Sequence, residues 1–113
     1  MDLTALQKRA VEIAALYDRS HVAKGRRPWD PDEVMMGFVG DVGDLAKLVM
    51  AVEGRRDIPE ARERLGHELA DCLWSVLVLA QRYGVDLEDE FARMTTGIEQ
   101  HLAEEQTSED PDG

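Results

Sequence analysis

Two short acidic motifs carry most of the chemical information in this 113-residue chain. They are Asp41-Val42-Gly43-Asp44 and Glu68-Leu69-Ala70-Asp71. Each is a pair of carboxylates at i, i+3, which a helix places on one face, one turn apart. Their surroundings are apolar. Asp71 interrupts the run LADCLWSVLVLA, from Leu69 to Ala80, in which Ser75 is the other polar side chain. At about 100° per residue, Asp41 and Asp44 flank Leu48 and lie near Val34 and Leu45, away from the lysines and glutamates. An unpaired buried carboxylate is expensive, so such a group is paired, protonated or given a metal. The chain offers no equal number of buried cations, and a divalent metal ion is the economical partner. A donor set of carboxylates without histidine or cysteine suits a hard cation, Mg²⁺ or Mn²⁺, better than zinc or copper. His67 neighbours Glu68 but points about 100° away from it on a helix and is not an obvious ligand. The Glu-x-x-His spacing of a di-iron site is absent. Mg²⁺ held by few carboxylates commonly works on substrate phosphates. With no nucleophilic serine, cysteine or histidine among the acids, direct attack by a metal-activated water is favoured over a covalent intermediate.

These acids need helices to position them. Leu3, Leu6, Ala10, Ile13, Leu16 and Tyr17 follow a 3.6-residue period and predict a first helix over residues 3–23. Gly25 and Pro28 break it within Lys24-Gly25-Arg26-Arg27-Pro28-Trp29. That stretch reads either as a solvated connector with one anchoring tryptophan, or as a nucleotide loop. In the second reading Lys24, Arg26 and Arg27 meet phosphate and Trp29 offers a stacking face to a base. Asp30 as cap, Pro31 in the first turn and the acids Asp32 and Glu33 begin a second helix, which runs to about Glu53 and stops at Gly54. Gly37, Gly40 and Gly43 lie inside it, each at a cost of roughly 1 kcal/mol against alanine. They imply close approach of another helix, room beside Asp41 and Asp44 for a metal and its ligand, or both. Asp57 is expected to cap a third helix with Pro59 in its first turn and Gly84 as its stop. The second half of this helix is apolar almost all round and must be covered on several sides. Asp86, with Asp89 three residues on, caps a fourth helix whose apolar stripe is Phe91, Met94, Ile98 and Leu102. The fold class is all-α, a four-helix bundle with metal ligands projecting between its middle helices. The third helix is apolar on more faces than its own neighbours cover, so completion by oligomerisation, as a homodimer or homotetramer, is expected.

Composition limits the alternatives. The length gives a single domain, expected over residues 1–105, with a disordered acidic tail at 106–113. The formal net charge of −11 is a poor match for long nucleic acids, whose binding depends on phosphate neutralisation. It does not exclude a small anionic ligand that arrives with a metal ion. The single cysteine, Cys72, forms no intrachain disulfide and reads as a small buried hydrophobe. No signal-peptide pattern is expected in the first residues, and the apolar run falls short of the roughly 20 residues that span a bilayer. A cytoplasmic location without membrane attachment is the expectation.

The stretch GFVGDVGDLAKLVMAVEG, followed by HELADCLWSVLVLAQRYGVDL, resembles the MazG-like nucleotide pyrophosphohydrolases, the all-α NTP pyrophosphatases. The likeness covers roughly residues 26–94 and is nearest to the dCTP-pyrophosphatase-type branch. There, too, a tryptophan precedes the second helix, and the first motif reads Gly-Glu-Val-Gly-Glu. The resemblance implies that Asp41, Asp44, Glu68 and Asp71 are the catalytic, metal-binding acids and that Trp29 stacks on the base. It implies an Mg²⁺-dependent cleavage of a nucleoside triphosphate between the α and β phosphates, giving monophosphate and pyrophosphate, in nucleotide house-cleaning or pool control. This chain departs from the family in three places. Asp41 and Asp44 stand where glutamates are usual, each one methylene shorter. Ser75 stands where relatives often carry tyrosine. The fourth helix lacks a Lys…Asn…Arg cluster, for which Arg93 is a partial substitute; phosphate charge then falls to Lys24, Arg26, Arg27 or a neighbouring subunit. Loss of that cluster also allows a second reading, a non-catalytic MazG-like helical binding protein that retains the acidic site.

Overall fold

The computed structural model describes residues 2–109, and among these it is all helix and connector, with no strand. The elements are α1 (Leu3–Ala23), α2 (Pro31–Val52), α3 (Ala61–Arg82) and α4 (Leu87–Glu109). Local chemistry sets most of their ends. The Asp2 carboxylate accepts from the Ala5 N–H at 2.9 Å to start α1, and the Asp86 carboxylate accepts from the Asp89 N–H at 3.0 Å to start α4. The Glu33 side chain reaches back to the Asp30 N–H at 3.3 Å, one arm of a capping box ahead of Pro31. α1, α2 and α3 stop in the same manner, at Gly25, Gly54 and Gly84, all with positive φ. The next N–H then returns to the helix: Arg26 to the His21 carbonyl, Arg55 to Met50 and Val85 to Ala80, each at 2.8 Å.

The start of α3 departs from expectation. Asp57 does not cap it; the helix begins at Ala61. A cap at Asp57 would make Ile58 the first helical residue, and a residue before proline resists helical φ/ψ. The connector therefore extends through Pro59, and Glu60 turns the chain with φ 56° and ψ 35° and no side-chain capping bond. A left-handed conformation costs a non-glycine residue about 1 kcal/mol or more. Glu60→Gly should raise stability by about 1 kcal/mol, some 4–8 °C in Tm for a domain near this size. Glu60→Val should lower it. Thermal unfolding followed by circular dichroism checks both, and an unchanged Tm in the glycine variant would refute the strain.

α2 and α3 form an antiparallel hairpin, and α1 lies against α3. Ala10, Val34, Leu77 and Val78 are the buried centre, with Leu3, Leu6, Trp74, Leu79 and Leu87 around them. The Trp74 indole N–H donates to the Ala10 carbonyl at 3.2 Å, which ties α3 to α1. α4 leaves this body. Beyond Leu87 its apolar stripe of Phe91, Met94, Ile98 and Leu102 remains 51–61% exposed. The radius of gyration is 19.0 Å, against about 13 Å for a compact chain of this length. The expected helices are thus all present, but the fourth does not close a bundle within one chain.

Two further expectations change in detail. α4 continues through Glu109, past the boundary drawn at 106, because Ala103, Glu104, Glu105 and Gln106 are good helix formers. Residues 110–113 of the expected acidic tail lie outside the described residues. Among the described residues nothing packs closely on the glycines of α2: a methyl group at Gly37, Gly40 or Gly43 would meet no atom within 4 Å. Among the described residues no helix is long and apolar enough to cross a membrane.

Candidate functional site

Antiparallel packing of α2 on α3 sets Asp41 and Asp44, one turn apart, opposite Glu68 and Asp71. Asp41, Asp44 and Glu68 each offer a carboxylate oxygen, and the three oxygens lie within 4.8 Å of one another. Glu68 Oε2 is buried and has no hydrogen-bond partner. Burial, followed by the charges of Asp71 and Asp44, pushes the Asp41 carboxyl above its ordinary range, and His67 only partly offsets this. Burial also raises Glu68, followed by Asp41, Asp71 and Asp44, with His67 again opposing. A crowded set of acids with one orphaned, buried oxygen fits a divalent cation, and the all-oxygen donors fit Mg²⁺ or Mn²⁺.

Asp71 stands beside this group rather than within it. Its Oδ2 is 3.4 Å from His67 Nε2, and its side chain is 41% exposed. His67 is one turn from Asp71, a relation missed when it is compared with Glu68 alone. The acids are also less buried than the apolar sequence around them suggests. Asp44 is exposed and Asp41, Glu68 and Asp71 are half-buried, because α4 does not cover the groove between α2 and α3. Cys72, partly buried, has its thiol pushed up by burial and then by Asp41, Glu68 and Asp71. That keeps it protonated and inert, as expected of a packing residue.

A cavity of about 310 Å³ opens next to the acids, with Asp41 and Asp71 in its wall and Trp29, Tyr17, Trp74 and Ser75 beyond them. This volume is within the range of small-molecule sites. The rings form a cluster. Tyr17 lies 5.4 Å from Trp29 and meets Trp74 edge-on at 5.7 Å, while His21 is 4.6 Å from Trp29. The Arg82 guanidinium donates to the Trp29 carbonyl at 3.1 Å and fastens the loop to the end of α3. Tyr17 and His21 were not singled out in the sequence as site residues. Their i, i+4 spacing puts both on one face of the last turns of α1, but only the packing of α1 on α3 brings that face to Trp29. Glu33, read there only as a helix-start acid, also lines the cavity.

The basic residues are placed less favourably. Arg27 is committed to Glu33 at 2.6 Å and Asp30 at 2.7 Å, and those acids raise its pKa further, Glu33 first. Lys24 and Arg26 are exposed on the connector. Arg93 pairs with Asp89 and Glu90 on α4 itself. With α4 projecting from the body, the ion pairs of Arg93 are with these α4 acids and none is with Asp41, Asp44, Glu68 or Asp71.

A family model, the MazG nucleotide pyrophosphohydrolase domain, matches residues 30–105. A curated relative, uncharacterized protein YvdC of Bacillus subtilis (strain 168), is 35% identical over 65 residues, which cover 50% of this chain and 61% of that protein. No solved structure is significantly similar to the chain.

Proposed function

The chain belongs to the MazG nucleotide pyrophosphohydrolase family, and on that premise we propose that it hydrolyses nucleoside triphosphates to monophosphate and pyrophosphate with Mg²⁺, or Mn²⁺, held at Asp41, Asp44 and Glu68. The observation that carries the proposal is that Asp41 belongs to both features: it is one of three carboxylates with oxygens within 4.8 Å of one another, and it stands in the wall of the aromatic cavity. A base stacked on Trp29 leaves its phosphates running toward the acids. A bound divalent cation would neutralise phosphate charge and activate the attacking water.

The chain's own groups then divide the work. Trp29 and Tyr17 hold the base, with Trp74 as the structural floor. Asp71, outside the group of three and 3.4 Å from His67, takes the proton of the attacking water. Water attacks the α phosphorus, the bond from that phosphorus to the bridging oxygen breaks, and pyrophosphate leaves. Lys24 and Arg26 supply charge to the phosphates; Arg27 does so only by exchanging its partners Asp30 and Glu33. Pyrimidine deoxynucleotides, dCTP foremost, are the first substrates to test, in line with the dCTP-pyrophosphatase-type resemblance. Nucleotide-pool control in the cytoplasm is the corresponding role.

The commitment of Arg27 and the distance of Arg93 favour one other reading, a MazG-like protein that binds metal and nucleotide without turnover. A panel of common ribo- and deoxyribonucleoside triphosphates with Mg²⁺ or Mn²⁺ separates the two. Hydrolysis should give pyrophosphate and monophosphate in equal amounts, with ¹⁸O from labelled water in the monophosphate. Label in free orthophosphate would overturn attack at the α phosphorus. Intact metal binding with no turnover of any nucleotide would select the non-catalytic reading.

A further inference from the structure

Glu33 has no part in the group of three acids, yet it stands in the wall of the cavity with Tyr17, Trp29 and Trp74. Its carboxylate is held in one orientation. Oε1 lies 2.6 Å from the Arg27 guanidinium and accepts from the Asp30 N–H at 3.3 Å. Both donors belong to the connector that carries Trp29, and both meet the same oxygen, which leaves Oε2 for a ligand. An ionised carboxylate accepts through either oxygen and donates through neither. The side chain is 37% exposed, so it is partly withdrawn from water and still open to the cavity.

We propose that Glu33 selects the base: its Oε2 accepts a hydrogen bond from the exocyclic amino group of cytosine or adenine and opposes the oxo group that uracil or hypoxanthine presents at the same place. The proposal rests on the nucleotide reading of the cavity given above. Position supports it first. Glu33, Gly37 and Asp41 follow one another at i, i+4 and i+8 along α2, and all three line the cavity. At 1.5 Å per residue, Glu33 stands about 12 Å along the helix from Asp41. The two acids mark opposite ends of this stretch of wall, one beside Trp29 and the other among the metal-binding carboxylates, as the base edge and the phosphates are opposite ends of a nucleotide. Gly37 keeps the wall low between them, for a methyl added there would meet no atom within 4 Å.

The other polar groups of the wall do not make this choice. The Trp74 indole N–H is spent on the Ala10 carbonyl at 3.2 Å. Asp41 belongs to the group of three acids, and Asp71 lies 3.4 Å from His67. The hydroxyls of Tyr17 and Ser75 both donate and accept, so each suits an amino or an oxo group alike. Glu33 is the acceptor of the wall that stands apart from the acidic group. An amino group facing it gains a charge-assisted hydrogen bond, whereas an oxo group meets a negative charge.

The test is equilibrium binding, by calorimetry with Mg²⁺, of α,β-imido triphosphates that resist cleavage between the α and β phosphates. Deoxycytidine is compared with deoxyuridine and deoxyadenosine with deoxyinosine, so that each pair differs in an amino against an oxo group at one ring position. Wild type should bind the amino member roughly ten- to a hundredfold more tightly in both pairs. In Glu33→Gln, Arg27 and the Asp30 N–H hold the amide carbonyl where Oε1 was, which turns the NH₂ toward the ligand. The preference should then vanish or invert toward the oxo member. Glutamine also serves the capping box, so the variant keeps the start of α2. Wild type that binds both members equally or favours the oxo member would overturn the proposal. So would a variant that keeps the amino preference, including one that loses affinity for both members alike. Absence of binding by every nucleotide would remove the nucleotide reading together with this proposal. An intact, Glu33-dependent preference without turnover of the natural triphosphates would remove only the hydrolytic reading.

Discussion

Glu68→Gln should abolish the metal-dependent rise in Tm and reduce nucleotide turnover by at least about a hundredfold. Glutamine keeps the shape of the side chain but removes a charge from the group of three oxygens, including the buried Oε2 that has no protein partner. A ligand that binds only the folded state at a hundred times its Kd stabilises it by about 2.7 kcal/mol, and that increment disappears with the site. Losing roughly 3 kcal/mol of charge stabilisation in the transition state corresponds to the hundredfold drop. The metal-free variant should be as stable as wild type or more so, since a crowded, partly buried charge is gone. The pH dependence has a defined sign. Asp41 and Glu68 have raised folded pKa values, so the folded metal-free protein binds protons more tightly than the unfolded chain. Their stabilising contribution is fully present below the ordinary carboxylate range and is lost as pH rises through the raised values. Metal requires the ionised forms, so the metal-dependent increment runs the other way and fades on acidification. Asp71→Asn is the control. It should keep most of the metal-dependent rise and lose turnover, as expected of a proton acceptor outside the ligand group. A full metal-dependent rise in Glu68→Gln would remove the three acids from consideration as the metal site.

How far the sequence discloses this arrangement depends on how local each determinant is. The starts of α2 and α4 and the three glycine stops are legible because a cap or a positive φ involves only a few neighbouring residues, and α1 is legible from its apolar period. The start of α3 is not, since Pro59 acts on Ile58 and displaces the helix beyond the expected cap. The facing of Asp41, Asp44 and Glu68 follows from helical period and an antiparallel hairpin. The engagement of Asp71 by His67 is visible only when both neighbours at i±4 are considered. Tyr17 and His21 join Trp29 because α1 lies against α3, a tertiary fact that no spacing within α1 contains. Arg93 shows the same limit in reverse. Its identity suits a phosphate, but the direction of α4 is set at Val85 and Leu87, and that direction carries it away from its own acids. The α2 glycines were legible as room for something. Among the described residues the space around them is open, so close approach of another helix is not what they serve within the fold.

Trp29→Ala should weaken nucleotide binding by ~1–3 kcal/mol, roughly five- to a hundredfold or slightly more, the range for loss of a base-stacking aromatic. The ring is suited to that role by its support. It lies 5.4 Å from Tyr17 and 4.6 Å from His21, and its residue is 36% exposed, so one side packs and the rest is available. The Arg82 bond to its carbonyl limits the ordering that binding must impose, which favours affinity. Removal of a ring this exposed should lower Tm far less than removal of Trp74, whose indole is hydrogen-bonded to Ala10 across two helices. The kinetic signature separates stacking from packing. Stacking lies away from the reacting phosphorus and acts on substrate and transition state alike, so KM should rise while kcat falls little. Trp29→Phe should recover much of the affinity because a π-face remains. In wild type, nucleotide should quench tryptophan fluorescence, and in Trp29→Ala, where Trp74 in the cavity wall remains as reporter, the quenching should fall sharply. An unchanged KM together with a lowered Tm in Trp29→Ala would make Trp29 a packing residue and leave base recognition to Tyr17 and His21.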